Sequence, residues 1–391
     1  MTDQTRTDVL RTDDRRADVR WTVQAVEVPP SLDHPAAWAV IGSAEAVIAS
    51  EVARWGHADL AVTAHEMLAK LQTQQYATKV RLVAVAPPVD PGARRQPRDV
   101  AGTALLSMPR QSNEHLAFID VTVHPDHRGS GAGSLLLADA ERLAAQHGRT
   151  TVIGESEHVG EPADGPDVLQ PPTGSGRIAA TDAGAAFAVA RGFALEQAER
   201  YSVLQLPVPD DDLARLHREA GAVAGDAYRL IAWADRTPDE WAEQYAALFT
   251  RMSTDAPMAD LEIEEDRWDV ERLRVAERSR LESGSSYLTV VAEHVPTATL
   301  AAFTMVALPL DKPWVVYQED TLVLREHRGR RLGMLVKTDL LRRLHTVRPD
   351  AERVHTWNAE ENDHMLAINV ALGFRPTGVA GAWQKRLSPQ D

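Results

Sequence analysis

Two stretches of this chain, 200 residues apart, carry the same residue types in the same order. Asp120-Val121-Thr122-Val123 leads through His127 into Arg128-Gly129-Ser130-Gly131-Ala132-Gly133, and Asp320-Thr321-Leu322-Val323 leads through His327 into Arg328-Gly329-Arg330-Arg331-Leu332-Gly333. Each runs from an apolar strand through a glycine-bearing turn into an amphipathic helix. Backbone amides at a helix N-terminus point outward unsatisfied and carry part of the helix dipole, so the turn is a seat for a phosphate. Glycine lets that phosphate approach the backbone closely, because no Cβ intervenes. One such pattern alone reads equally well as a tight turn without a ligand. An arginine before the turn and a second copy in register strengthen the anion-binding reading.

The elements that must hold these turns repeat as well. Leu135, Asp139 and Arg142 match Leu335, Asp339 and Arg342, and Gly192-Phe193 matches Gly373-Phe374. The last offset is 181 instead of 200, so the first half holds an extra segment, for which the Gly/Pro-rich run 154–176, following a short strand over 150–153 and reading as a mobile loop, is the candidate. Only two copies at so long a period exclude a solenoid and leave duplication of a whole domain. The expected layout is a disordered tail over 1–20, a first domain over 21–207, a linker helix over 208–225 and a second domain over 226–391. Strand and helix patterns make each domain mixed α/β, with hairpins ahead of the helix-linked part.

Composition narrows the partners. Fifty-seven acidic against 42 basic residues give a formal charge of −15, which disfavours nucleic acid and mildly favours a cationic small molecule. Cysteine is absent, which excludes disulfides, thiolate metal sites and a cysteine nucleophile. No His/Asp/Glu set has metal-ligand spacing, so no metal is expected. No apolar run approaches a membrane span and residues 1–20 lack the apolar core of a signal peptide, so a cytoplasmic protein without a membrane partner is expected, as monomer or homodimer.

Arg128-Gly-Ser-Gly131-Ala-Gly133 resembles the pyrophosphate loop of the GNAT N-acetyltransferase superfamily. The run from Asn362 through Met365 and Asn369 to Gly373-Phe374 resembles that superfamily's second signature, a helix ending in Leu-Gly-Phe. The layout is similar to tandem, mycothiol synthase-like members. The resemblance implies two GNAT domains, each a mixed, mainly antiparallel sheet with a V-shaped split between its fourth and fifth strands. It implies acetyl-CoA as co-substrate, held by Val121, Val123 and Arg128, Gly129, Ser130, Gly131, Ala132, Gly133 and Ser134 in the first half. In the second it implies Leu322, Val323 and Arg328, Gly329, Arg330, Arg331, Leu332, Gly333 and Met334. Arg331 stands where the first loop has Gly131, and its guanidinium, with Arg328 and Arg330, could compensate for the added Cβ. The tyrosine that many members use as proton donor is Ala188 in one half and Asn369 in the other.

The implied activity is acetyl transfer to a small-molecule or peptide amine by direct attack, and it calls above all for a base. Asp120 and Asp320 occupy the fourth-strand position where many members carry an acid, although an aspartate there reads equally as a structural residue. Glu319 adds a second carboxylate, on the opposite strand face by simple alternation, and tilts catalysis toward the second half. Rival readings place catalysis in the first half, or make the chain a coenzyme A-binding scaffold without turnover. Asn358 is a candidate contact for the pantetheine arm, and Asn362 a candidate contact that also reads as a helix cap. His127 and His327 read as a repeated base or, in preference, as turn residues that orient the backbone. The acidic run 261–266 reads as a solvated face or, if it meets the cleft, as an attractor of amines.

Overall fold

The computed structural model describes residues 20–87, 93–255 and 257–388. The expected tail lies outside the described residues except for Arg20. The first half runs β1 (Thr22–Ala25), α1 (Trp38–Trp55), α2 (Ala64–Gln72), β2 (Ala77–Val85), β3 (Val100–Pro109), β4 (Leu116–Val123) and α3 (Ala132–Gln146). It continues with β5 (Thr151–Val159), a small hairpin of β6 (Val168–Leu169) and β7 (Ile178–Ala179), α4 (Ala183–Ala190) and β8 (Ala194–Gln205). After α5 (Asp210–Ala224) come β9 (Tyr228–Ala234), α6 (Ala242–Asp255), α7 (Val270–Glu282), β10 (Ser285–His294), β11 (Thr299–Pro309) and β12 (Val315–Val323). The chain closes with α8 (Leu332–Val347), β13 (Arg353–Ala359), α9 (Asp363–Leu372) and β14 (Arg375–Arg386).

Twelve strands form one sheet in the order β1-β2-β3-β4-β5-β14-β8-β13-β12-β11-β10-β9. All pairs are antiparallel except β4–β5 and β12–β13, which are parallel, as expected for two mixed α/β repeats. The halves exchange their last strands. β14 of the second half pairs with β5 from Thr151↔Arg386 to Val159↔Gly378, and β8 of the first half pairs with β13 from Gln205↔Arg353 to Glu199↔Ala359. Neither half therefore completes its sheet alone, and the cluster at the seam mixes Ile178, Leu195 and Ala198 with Val379 and Trp383, the last only 2% exposed.

Helices cover both faces. α3 lays Leu136, Ala140 and Ala144 on the first half of the sheet, and α8 lays Leu332, Val336, Leu340 and Leu344 on the second. α5 packs its Leu213, Leu216 and Ala220 against α8. The segment from Pro35 to Trp55 is long and apolar enough to cross a membrane, yet it buries Ala39, Val40, Ala44 and Ala46 in the fold. Thr63 starts α2 by accepting a hydrogen bond from the Glu66 amide, an ordinary N-cap.

A polar clasp ties the halves. The loop between α1 and α2 carries Asp59, only 3% exposed, whose carboxylate accepts from Trp314 Nε1 at 3.0 Å and from Arg353 Nε at 2.8 Å. Lys312 Nζ donates to the carbonyls of Asp59 and Ala61. The loop between α6 and α7 does the reverse job. Glu262 accepts from Thr151 Oγ1 and Arg386, its amide donates to Gln384 Oε1, and Asp266 accepts from Ser112 and Arg272. The acidic run 261–266 is thus a strap onto the first half, neither a free solvated face nor an attractor in the cleft.

The run 154–176 also departs from expectation. Its first six residues complete β5 against β14, and Gly176, at φ +77°, lies where a Cβ would sit 2.7 Å from Ala198 Cβ and 2.8 Å from Glu360 Cγ. Composition suggested a loose loop because the glycines and prolines hide a strand whose partner comes from the other end of the chain. Replacing residues 154–176 by a short Gly/Ser bridge should lower the calorimetric melting temperature by about 10 °C or more. An unchanged melting temperature would show that this pairing stabilises nothing.

Burial alone would raise the Asp59 carboxyl, but the bonds from Trp314 and Arg353 outweigh it and hold the group below its ordinary 3.8. The clasp is therefore complete above that value and is lost as the pH falls through the lower, folded one. Asp59→Ala should cost about 3 kcal/mol in urea unfolding at pH 7, and the gap to the parent protein should close in strong acid. A gap that persists unchanged in acid would contradict this.

Candidate functional site

In the first half, β4 ends at Val123 and a single 3-10 turn, Pro125–His127, delivers the chain to Arg128. Gly129 and Gly131 adopt φ of +71° and +91°, left-handed values that only glycine takes without strain. Nothing lies within 4 Å of a Cβ at either position, so conformation and open approach require glycine here. α3 begins at Ala132 with no side-chain cap, leaving its first amides without an internal partner. Trp21 braces the turn by donating Nε1 to Ser130 at 2.9 Å, and its ring meets His127 edge-on. Arg128 donates to Ser50 Oγ of α1 at 3.0 Å. Arg191, which the sequence reading passed over, donates to Ser134 in the first turn of α3 and stacks over Phe187 at 5.0 Å. Its place directly before Gly192-Phe193 was the available signal.

The second turn copies this backbone with different side chains. Gly329 has φ +77°, and Arg331 takes φ +55° where Gly131 stands in the first half, at a cost of roughly 1 kcal/mol for the side chain. Its arginines are not free to compensate as expected. Arg325 and Arg328 face the carboxylate of Asp255, at 3.2 and 3.7 Å, and that side chain is 1% exposed. Arg331 faces Glu219 of α5 at 3.7 Å, while Arg330 lies over the Tyr228 ring. Tyr228 also meets His327 Nδ1 at 2.8 Å, as Trp21 meets the first turn. Leu332 and Met334 are buried in the core, and a Cβ on Gly333 would touch Ile368 Cδ1 at 3.0 Å.

Beside each turn the sheet forks. β4 pairs with β5 only at Leu116–Phe118 against Thr151–Ile153, so the edge of Ile119–Val123 that faces β5 has no strand partner. Gly154 stands at the apex, where a Cβ would lie 3.1 Å from the Ile119 carbonyl. In the second half β12 pairs with β13 only at Val315–Tyr317 against Arg353–His355. Val121, Val123 and Val323 pack toward α3 or α8, and Leu322 packs into the opposite core. Asn358 accepts from Asn369 Nδ2 at 2.6 Å, and Asn362 caps α9 by accepting from the Met365 amide.

The two forks differ in what faces them on the α1–α2 or α6–α7 side. In the first half Arg81, Leu105 and Asp120 stand in one row across β2, β3 and β4, with Val83, Thr103 and Thr122 in the next row but one. A cavity of about 230 Å³ opens over them, lined also by Lys70 and Lys79. Glu51 and Glu155 lie close enough to Asp120 to feel its charge, and Glu199 lies beside Glu155. Burial, then Glu157, pushes Glu51 up to about 7; burial, then Asp120 and Glu157, raises Glu155; and burial, then Glu155 and Glu361, pushes Glu199 up to about 7. Glu155 and Glu157 were missed because they sit in the run that composition marked as a loop.

In the second half Thr103 and Thr122 are replaced by Phe303 and Leu322, which pack with Tyr245 and Phe249 into a closed core. A β-bulge sets Glu319 and Asp320 together opposite Met305, because the register steps from Thr304↔Thr321 to Val306↔Gln318. Simple alternation predicted opposite faces, but both carboxylates lie under the field of Arg280. Glu319 reaches solvent yet is densely surrounded, and burial followed by Asp320 pushes it up to about 7; burial raises Asp320 as well.

Residues 69–163 match the profile of the acetyltransferase (GNAT) family. No curated protein sequence matches the chain. Among solved structures, a tandem GNAT protein from the clavulanic acid biosynthesis pathway, determined without acetyl-CoA, is 26% identical with a TM-score of 0.69, covering 95% of this chain and 100% of its own. A GCN5-related N-acetyltransferase from Sphaerobacter thermophilus shares the fold at 14% identity and a TM-score of 0.55, covering 95% of this chain and 97% of its own. The turns, the forks and these likenesses agree: the chain carries a GNAT acetyltransferase domain within a tandem GNAT fold, and it is an acyltransferase.

Proposed function

We propose that the protein transfers an acetyl group from acetyl-CoA to a small-molecule amine, and that the reaction takes place in the first half. The observation that carries this is the fork of β4 and β5, which opens at once onto the uncapped start of α3 and onto the cavity lined by Asp120. Acetyl-CoA supplies a thioester whose acyl carbon is open to attack. The unpaired edge of Ile119–Val123 suits its amide-bearing arm, and Gly129 to Ser134 with Arg128 and Arg191 suit its phosphates.

The amine enters as an ammonium and must lose a proton before its lone pair can form the N–C bond. Asp120 faces the cavity and receives that proton directly or through one water. Burial, then Asp120 and Glu157, raises the neighbouring Glu155, and burial, then Glu157, pushes Glu51 up to about 7, so both hold protons more readily than free carboxylates. As the C–S bond breaks, the electron pair leaves on sulfur, and a thiolate tolerates this without the tyrosine that Ala188 and Asn369 replace. No acyl-enzyme is required.

The second half was the expected seat of catalysis, and Glu319 and Asp320 are the observation in its favour. Against it stand the closed core at Phe303 and Leu322 and the carboxylate partners of its loop arginines. A structural or coenzyme-binding role fits that half better.

Gly131→Asp puts a Cβ and a negative charge into a left-handed position beside the helix amides. Acetyl-CoA affinity measured by calorimetry should fall about tenfold or more, and unchanged affinity would remove the anion seat from the argument. Losing the base should lower turnover roughly a hundredfold or more while coenzyme binding stays intact. Asp120→Asn should show that loss in thiol-release kinetics and Asp320→Asn should not. The opposite result would move the reaction to the second half.

A further inference from the structure

We infer that the first-half cavity takes a small aminocarboxylate, held by Arg81 at its carboxylate and by Asp120 at its amine. This rests on the acetyltransferase reading above and names the acceptor class for the same site. Arg81 is 9% exposed and lies in the middle of β2, where a charged side chain is costly unless something answers it. Among the described residues no carboxylate lies within 4.0 Å of its guanidinium. Nη1 donates to Thr103 Oγ1 at 3.0 Å, and among the same residues the buried Nε has no hydrogen-bond partner. Arg81 nevertheless lines the cavity, and among the described residues its Nη2 has no hydrogen-bond partner either, so a ligand carboxylate can answer its charge there although the enclosed Nε stays out of reach.

The wall is polarised in one direction. Lys79 and Arg81 project from β2 and Lys70 from α2, while Asp120 projects from β4 two strands away and next to the fork. Lys70 is already engaged by Glu66 at 2.6 Å, and Lys79 donates to the Lys70 carbonyl at 3.1 Å; both reach solvent for their remaining donors, whereas Arg81 is buried. Adjacent strands lie about 4.8 Å apart, so Arg81 and Asp120 are anchored about 10 Å apart at the backbone. Both side chains project from the same face of the sheet, so a small amino acid lying across that face can meet one head group at each end. Such a molecule lies with its carboxylate toward β2 and its nitrogen toward the fork, where the acyl group must arrive. A cavity of about 230 Å³ is below the usual range for drug-sized ligands, roughly 300–1,000 Å³, and suits a compact acceptor. The formal charge of −15 favours cations over the surface as a whole, so a local cationic wall has a specific purpose.

The test compares matched acceptors on the full-length protein with saturating acetyl-CoA, following thiol release and thermal-shift binding. The probes are the protein amino acids and the ω-amino acids from β-alanine to 6-aminohexanoate, each beside its primary amide. At least one acid should exceed its amide in kcat/KM by about tenfold or more, because the amide leaves Arg81 unanswered. Arg81→Met should raise KM for that acid about tenfold or more with kcat changed far less, and acetyl-CoA affinity should remain that of the parent. Equal use of acid and amide, or no response to any aminocarboxylate in turnover and binding, would overturn the inference. The acid and amide comparison on the parent protein needs no variant, so a misfolded Arg81→Met cannot shield it. Failure of acetyl-CoA itself to bind would instead overturn the transferase reading and this inference with it.

Discussion

The direction of β5 governs this molecule. Three parallel pairs tie it to β4 at one end, and nine antiparallel pairs along its other edge tie it to β14. The stronger tie wins, so β5 turns away from β4 after Ile153 and leaves the β4 edge open. Gly154 permits the two backbones to touch at the point of departure. The fork is thus held open by a strand from the far end of the chain, and β8 does the same for β13 in the other half. A site built this way depends on both halves being folded and docked, which accounts for the dense polar clasp around Asp59 and Glu262.

Duplication left two copies of one backbone and let their contents diverge. At the turns the change is conservative in shape, since Arg331 accepts the left-handed conformation of Gly131. Its electrostatic effect is larger, because the second loop's arginines have carboxylate partners in Asp255 and Glu219 whereas Arg128 meets only the Ser50 hydroxyl among the described residues. Over the sheet the change is one of volume and polarity. Two threonines leave room for a ligand, and Phe303 with Leu322 fills the same space with a core worth roughly 1.5–3 kcal/mol per buried side chain. One copy keeps an open cavity and the other a filled core.

Much of this was legible in the sequence because it is local. The glycine turns, the strands before them and the helices after them show in residue type and spacing, as does the Asn362 cap. What escaped depends on distant partners. β5 looked like a four-residue strand followed by a loop, since Glu155, Ser156 and Glu157 show no apolar alternation of their own. Their order comes from β14, more than 200 residues away. The bulge at Glu319 and Asp320 is set by a register step against Met305, which a period-two reading of one strand does not contain. Arg81 appeared as one charge in an apolar run, and only the three-strand register places it in line with Asp120.

The most direct measurement is a crystal structure determined with acetyl-CoA bound. The thioester should lie in the fork of β4 and β5, with the phosphates at the start of α3 and the acyl carbon facing the cavity of Asp120. Acetyl-CoA found only between β12 and β13, with the first fork closed or vacant, would contradict this.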